Sequence, residues 1–290
     1  MSRIIARRKI TRLTVGVRAL AGEDLLAVEE PLEIRVNGRR LAVTMRTPGN
    51  DIDLAAGFLV SEGVITKSDD FNSARYCAGS VDGVNTYNVL DVTLGAGVAP
   101  PAPSLERSLL TTSSCGLCGK ESIDAVRTKS TFAIADDPAR VDAELLTTFP
   151  EQLRAGQNVF EKTGGIHAAG LFDAATGDLL VLREDVGRHN AVDKVIGWAV
   201  KENRLPLTGT VLMVSSRASF ELTQKALMAG IPVLAAVSAP SSLAAEFAVE
   251  VGMTLVGFLR GDSMVVYAGG DRIVDEQRDE QRHEPLGQTA

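Results

Sequence analysis

Cysteine is scarce, with three residues in a chain of 290. Three thiols cannot build a disulfide framework without leaving one over. Histidine is equally rare, at three residues, and none of the three pairs with another at metal-ligand spacing. Aromatic residues make up only 4%, which favours α/β layering over an all-β sandwich. No run of about 18 apolar residues exists, so no membrane-spanning helix is expected. A basic excess is also missing. At a net charge of −7, non-specific binding to nucleic acid is not expected, and an anionic ligand must be held by local donors. The opening Met1-Ser2-Arg3-Ile4-Ile5-Ala6-Arg7-Arg8-Lys9 is basic but lacks the apolar core of a signal peptide. These absences predict a cytoplasmic chain with reduced thiols.

What is present is a large apolar fraction, 45%, and 27 glycines. The length suits two ordinary domains, or one large α/β domain with an extension. The first part reads as β-rich. Residues 13–17 alternate, and so do 32–36 and 40–45, the last two separated by Asn37-Gly38. Both of those residues tolerate positive φ, so the pair predicts a tight hairpin. Asn50 or Asp51 is placed to cap a helix over residues 54–60, ended by Gly63. Residues 84–94 predict a strand. A Gly, Ala and Pro-rich stretch follows from Gly95 to Ser108, then helical segments up to Lys162. From Thr163 onward, apolar strands alternate with amphipathic helices, which implies a sheet covered on both faces. Residues 275–290 are polar and predicted to be disordered. There is no internal repeat. The predicted organisation is α+β overall. A smaller β-rich domain spans 1–98, a linker and loop 99–120, and an α/β domain 121–274.

The chemistry is expected in the loop that holds Cys115 and Cys118 at Cys-x-x-Cys spacing. Structural zinc needs four ligands, and no second Cys-x-x-Cys or His pair supplies them. A thioredoxin-like couple needs the motif at a strand-to-helix turn, whereas a Pro, Ser and Thr-rich lead precedes this one. A third reading is a thiolate nucleophile on a flexible arm. Gly116 and Gly119 would expose sulfur, while Lys120 and a helix start would raise the thiolate fraction. Cys77 reads as a buried small hydrophobe.

A second site is expected in the C-terminal sheet. The segments around Arg188 and His189, and around Ser216 and Arg217, each follow a strand and open a helix. Free N–H groups plus an arginine at each would make an anion site beyond the carboxyl ends of the strands. The plainer alternative is capping by Ser216, with both arginines paired on the surface. His167 reads as a structural histidine. The run Phe258-Leu259-Arg260-Gly261-Asp262-Ser263 is either a simple turn or a third wall of that pocket.

Taken together, these stretches resemble the FdhD/NarQ family from about Glu29 to Ile273. Among the strings that carry the resemblance are Met45-Arg-Thr-Pro-Gly49, Ser114-Cys-Gly-Leu-Cys-Gly119, Thr163-Gly-Gly-Ile-His-Ala-Ala169, Arg183-Glu-Asp-Val-Gly-Arg-His-Asn190 and Val214-Ser-Ser-Arg-Ala-Ser-Phe-Glu221. The resemblance implies a sulfurtransferase that serves formate dehydrogenase. A cysteine desulfurase would load Cys115 as a persulfide, with Cys118 assisting. The sulfur would pass to the molybdenum of bis(molybdopterin guanine dinucleotide). That cofactor, through a GDP-like guanine nucleotide portion, would be bound by Phe258, Leu259, Arg260, Gly261, Asp262 and Ser263. Its phosphates would meet Arg188, His189, Ser216 and Arg217. The resemblance further implies a homodimer, and a C-terminal three-layer mixed sheet like that of cytidine deaminases. The zinc thiols and catalytic Glu of a deaminase are absent from the matching helix starts, so no metal is expected.

Overall fold

The computed structural model describes residues 4–77, 80–81, 84–85, 87–102 and 130–275. The chain opens with an antiparallel ribbon, β1 (Ile5–Arg12) and β2 (Leu20–Ala27), whose strands pair only with each other among the described residues. The expected strand at 13–17 is instead part of the connection at the ribbon's tip. Its alternation misleads because these apolar residues face water, not a core. Strands β3 (Glu30–Val36) and β4 (Arg39–Arg46) form the hairpin that Asn37-Gly38 announces. Asn37 takes φ 49° and Gly38 φ 80°, the left-handed pair that such a turn demands.

Helix α1 (Asp51–Ser61) follows, with Asn50 left-handed and its side chain unused as a cap. Asp51 is engaged elsewhere: its carboxylate receives two bonds from the buried Arg46 guanidinium, at 3.1 and 3.0 Å. At the other end Gly63 turns left-handed, φ 71°, and Val64 N–H returns to Leu59 O at 2.9 Å. Next come β5 (Phe71–Tyr76), the two-residue strands β6 (Ser80–Val81) and β7 (Val84–Asn85), and β8 (Val89–Leu94). The single strand expected over 84–94 is broken, with Tyr87 at φ 51° in the gap. A four-stranded sheet in the order β4-β3-β8-β5 results. Leu32, Ile34 and Val36 alternate into its core.

After β9 (Val141–Asp142) come α2 (Ala143–Ala155) and α3 (Asn158–Thr163). The α/β part then runs β10 (His167–Asp173), β11 (Leu179–Asp185), α4 (Arg188–Lys201), β12 (Thr210–Val214), α5 (Phe220–Met228), β13 (Val233–Ala236), α6 (Ser242–Glu250), β14 (Thr254–Arg260), β15 (Ser263–Ala268) and β16 (Ile273–Val274). The sheet order is β11-β10-β12-β13-β14-β15, and the parallel pairs are β12–β13 and β13–β14. Period-two geometry splits each central strand between two cores. Leu212, Val214, Leu234 and Leu255 join the core under α4, α5 and α6. Val211, Met213, Val233 and Val256 join the one under α2, with Phe149 stacked on Phe172 at 4.1 Å. This is the three-layer mixed sheet expected.

The two sheets are joined through α1 and α4, whose contact is the most extensive between helices. A Cβ on Gly57 would lie 1.8 Å from Asp193 O, and one on Gly197 would lie 1.7 Å from Asp53 O. Each helix therefore carries an aspartate, a glycine four residues on, and a polar partner four residues beyond that. Lys201 reaches Asp53 at 2.6 Å, and Ser61 reaches Asp193 at 2.7 Å. The pattern is reciprocal, and the helices run in opposite directions across it. Arg183 at 3.0 Å and Lys225 at 2.8 Å complete the neutralisation of the two buried carboxylates. Buried charges persist only when paired in this way.

Candidate functional site

Cys115 and Cys118 lie outside the described residues, as does the end of the Gly95–Ser108 stretch. Cys77 is half-buried at the end of β5, not enclosed as expected.

The second site is built at the carboxyl ends of β12, β13 and β14. Leaving β12, Ser215 is clamped to β10: its N–H donates to Ala168 O at 3.0 Å, and Ala168 N–H donates to its Oγ at 2.9 Å. Ser216 is buried and donates to Arg217 O at 3.0 Å, while Arg217 is exposed. The helix starts later than expected, at Phe220, so Ser216 is not its cap. Ser219 occupies that position without using its side chain. The delay has a cause: Ala218 bridges to Pro240, and Ser241 N–H bonds Ala218 O at 3.0 Å. Those pairings hold the segment extended. Ser241 does cap α6, accepting from Ala244 N–H at 3.2 Å.

The β14 end is tied to the same rim, since Phe258 N–H donates to Ser238 O at 3.3 Å. Phe258 sits at φ 50°, where a non-glycine residue is strained. The pairing of β14 with β15 shifts register between Gly257 and Arg260. Leu259 is buried, and the Arg260 guanidinium stands 5.7 Å from the Phe258 ring centroid. Gly261 and Asp262 form a two-residue turn, and Ser263 pairs back with Arg260. The run 258–263 is therefore a hairpin end whose first residue belongs to the rim and whose tip is exposed.

Across from it, Gly187 precedes α4, and Arg188 and His189 occupy its first turn, both half-buried. His189 Nε2 lies 2.6 Å from Glu221 Oε2 in the first turn of α5. Burial alone would raise the Glu221 carboxyl, but His189, Lys225 and Arg188 outweigh it and hold it below the ordinary range. His167 is pushed down, first by burial and then by Arg188 and His189, against Asp185. It thus belongs to this charged group rather than to the sheet alone. The start of α4 is also braced from behind. Asn190 donates to Met45 O at 2.7 Å, and the buried Lys194 meets Asp185 at 2.7 Å and Thr47 O at 2.9 Å.

Besides His189 Nε2, which faces Glu221, three buried polar atoms in this group, Arg188 Nε, Ser219 Oγ and Glu221 Oε1, have no hydrogen-bond partner among the described residues. Buried polar atoms are satisfied as a rule, so the set has capacity to spare for a polar ligand. Cationic donors beside two helix starts suit a phosphate. Among the described residues there is no cluster of His, Cys, Asp or Glu fit to hold a metal ion. Glu221 and His167 escape sequence reasoning, because only the fold brings them to His189 and Arg188.

The profile described as the FdhD/NarQ family matches residues 27–274. A protein of Mycolicibacterium paratuberculosis named sulfur carrier protein FdhD is 61% identical over 271 residues, covering 93% of this chain and 99% of that one. A protein of the same name from Streptomyces coelicolor is also 61% identical, over 94% of this chain and 97% of its own. Among solved structures, one from Desulfotalea psychrophila, provisionally described as a formate dehydrogenase accessory protein, superposes with a TM-score of 0.72. It covers 94% of this chain and 100% of its own at 22% identity, a likeness of fold.

Proposed function

Because the chain belongs to the FdhD/NarQ family, we propose that it is a sulfur carrier that serves formate dehydrogenase. The Cys115 thiolate attacks the outer sulfur of a cysteine desulfurase persulfide. A new S–S bond forms as the donor's breaks, and the donor cysteine leaves as thiolate. Cys118 then attacks the Cys115 sulfur, forming a disulfide and releasing the outer sulfur as sulfide to the molybdenum of its cargo. A thiol reductant restores the pair. The cargo, bis(molybdopterin guanine dinucleotide), docks by its phosphates against Arg188, His189, Ser216 and Arg217, with its guanine nucleotide end toward Phe258–Ser263. The carrier works in the cytoplasm as a homodimer. Its parts are a β-rich domain over 1–98, the dithiol segment over 99–120, and the cofactor domain over 121–274. Among the described residues no helix is long and apolar enough to cross a membrane.

The observation that supports the docking half is the group of unpartnered buried polar atoms beside two helix starts. The carrier half rests on the relatives' names and on the Cys-x-x-Cys pair. Intact-protein mass spectrometry after incubation with a desulfurase and cysteine tests it. The expected result is a gain of one sulfur atom that maps to Cys115 and disappears in Cys115→Ala. A Cys115→Ala chain that still activates formate dehydrogenase fully would leave only cofactor binding, the role of a chaperone.

A further inference from the structure

The β1–β2 ribbon takes no part in the site above. All of it but Ala27 also lies ahead of the stretch that the family profile matches, which begins at residue 27. Among the described residues, its main contact with the rest of the chain is β2 against α3 at the base. Beyond that base, both strand edges are free among the described residues, where β1 and β2 pair only with each other. At the tip Leu13 is 76% exposed, Val15 103%, Val17 65% and Leu20 63%. Single exposed apolar residues need no explanation, but this group is concentrated at one tip and forms a patch.

Charge gives the second observation. The ribbon carries Arg7, Arg8, Lys9, Arg12 and Arg18 against Glu23 and Asp24, a net +3. With −7 on the whole chain, the remaining residues carry −10. Among the described residues only Arg7 of the five basic side chains makes an ion pair, with Glu23 at 3.1 Å.

We propose that the ribbon is an arm that grips a second copy of this chain, with its tip buried and its basic strand laid along the partner's acidic body. The inference rests on the homodimer in the function proposed above and assigns the surface that makes it. A second copy fits because the complementary charge is in the chain itself: a basic arm and an acidic body match when two copies exchange arms. Exchange about a two-fold axis lets each copy give one arm and receive one, so neither tip is left in water. The free strand edges add backbone donors and acceptors for the partner to meet.

Sedimentation of the full-length chain over a concentration series tests this. Two variants are compared with wild type: Val15→Asp with Val17→Asp at the tip, and Arg8→Glu with Lys9→Glu and Arg12→Glu along the strand. All five side chains are exposed, so circular dichroism should be unchanged. The expected result is a wild-type dimer, with each variant raising the dimer dissociation constant about tenfold or more, a burial-sized loss for the tip. Variants that remain as dimeric as wild type would overturn the arm while leaving a dimer built on another surface. A wild-type chain that stays monomeric throughout would remove the dimer itself, and the arm with it. Wild-type binding to anionic lipid vesicles that the variants lose, with dimerisation unaltered, would make the ribbon a membrane contact and overturn the inference too.

Discussion

Burial alone would raise the Glu221 carboxyl, yet His189, Lys225 and Arg188 outweigh it and hold the group below the ordinary glutamate value. Its carboxyl is lowered in the fold relative to the unfolded chain. The stability it contributes is therefore present above the ordinary glutamate range and lost as pH falls through the lowered value. Glu221→Gln should flatten that acid limb when urea midpoints are followed against pH. An acid limb identical to wild type would mean that the pairing with His189 is not made in solution. Tyr76 governs the opposite limb. Burial first, then Asp51 at 3.1 Å, pushes its hydroxyl up from 10.0 to about 12. The folded chain keeps this proton where the unfolded chain has released it. Stability should thus fall as pH rises between 10.0 and about 12, and Tyr76→Phe should lessen the slope. The ring is partly exposed, so the effect is small, and it is read as a difference between the two alkaline denaturation curves. Neither Glu221 nor Tyr76 could be singled out in the sequence, since their partners are 32 and 25 residues away.

At the scale of elements, the crossing of α1 and α4 is the most constrained feature. Gly57 and Gly197 each face a backbone carbonyl, which cannot move aside as a side-chain tip can. Ala at either position should force the helices apart, at the upper end of the overpacking range, about 3 kcal/mol. The double variant should lose less than the sum of the singles, because the first methyl already opens the space that the second needs. Denaturant midpoints of the three variants check both statements, and near-wild-type stability in either single variant would contradict the close approach. The aspartate–glycine spacing is visible in both helices, yet nothing in the sequence says that one faces the other. Elements set by local chemistry were legible: the Asn37-Gly38 hairpin, the alternating run of β3 and the Gly63 stop after α1. Those set by tertiary pairing were not. The ribbon's strands are charged and exposed, so they lack a buried face to betray them. The start of α5 was anticipated three residues early because the extended pairing of Ala218 with Pro240 overrides local helix preference.

In the whole molecule, the proposed work divides between two places that the chain supplies separately: a dithiol at 115–118 and a cationic rim at the ends of β12, β13 and β14. The fold of the second was legible because alternating strands and helices imply a covered sheet, and such sheets bind at their carboxyl ends. Its full membership was not, because His167 and Glu221 come from elements that only the sheet order makes neighbours. If carriage and docking are separate, they should fail separately. Cys115→Ala should accept no sulfur, yet bind GDP, used as a probe for the nucleotide end of the cargo, with wild-type affinity. Arg188→Ala should accept sulfur normally and bind GDP about 10- to 100-fold more weakly, the worth of one hydrogen bond to a charged group. Arg217 is exposed and Arg188 half-buried, so Arg217→Ala should weaken binding less, because water screens an exposed charge more. Calorimetry with GDP and mass spectrometry of the sulfur-loaded chain read the two functions independently. Loss of GDP binding in Cys115→Ala would mean that the dithiol segment forms part of the rim. Unchanged GDP binding in Arg188→Ala would move the phosphate site away from the start of α4, leaving the unpartnered Arg188 Nε to another ligand.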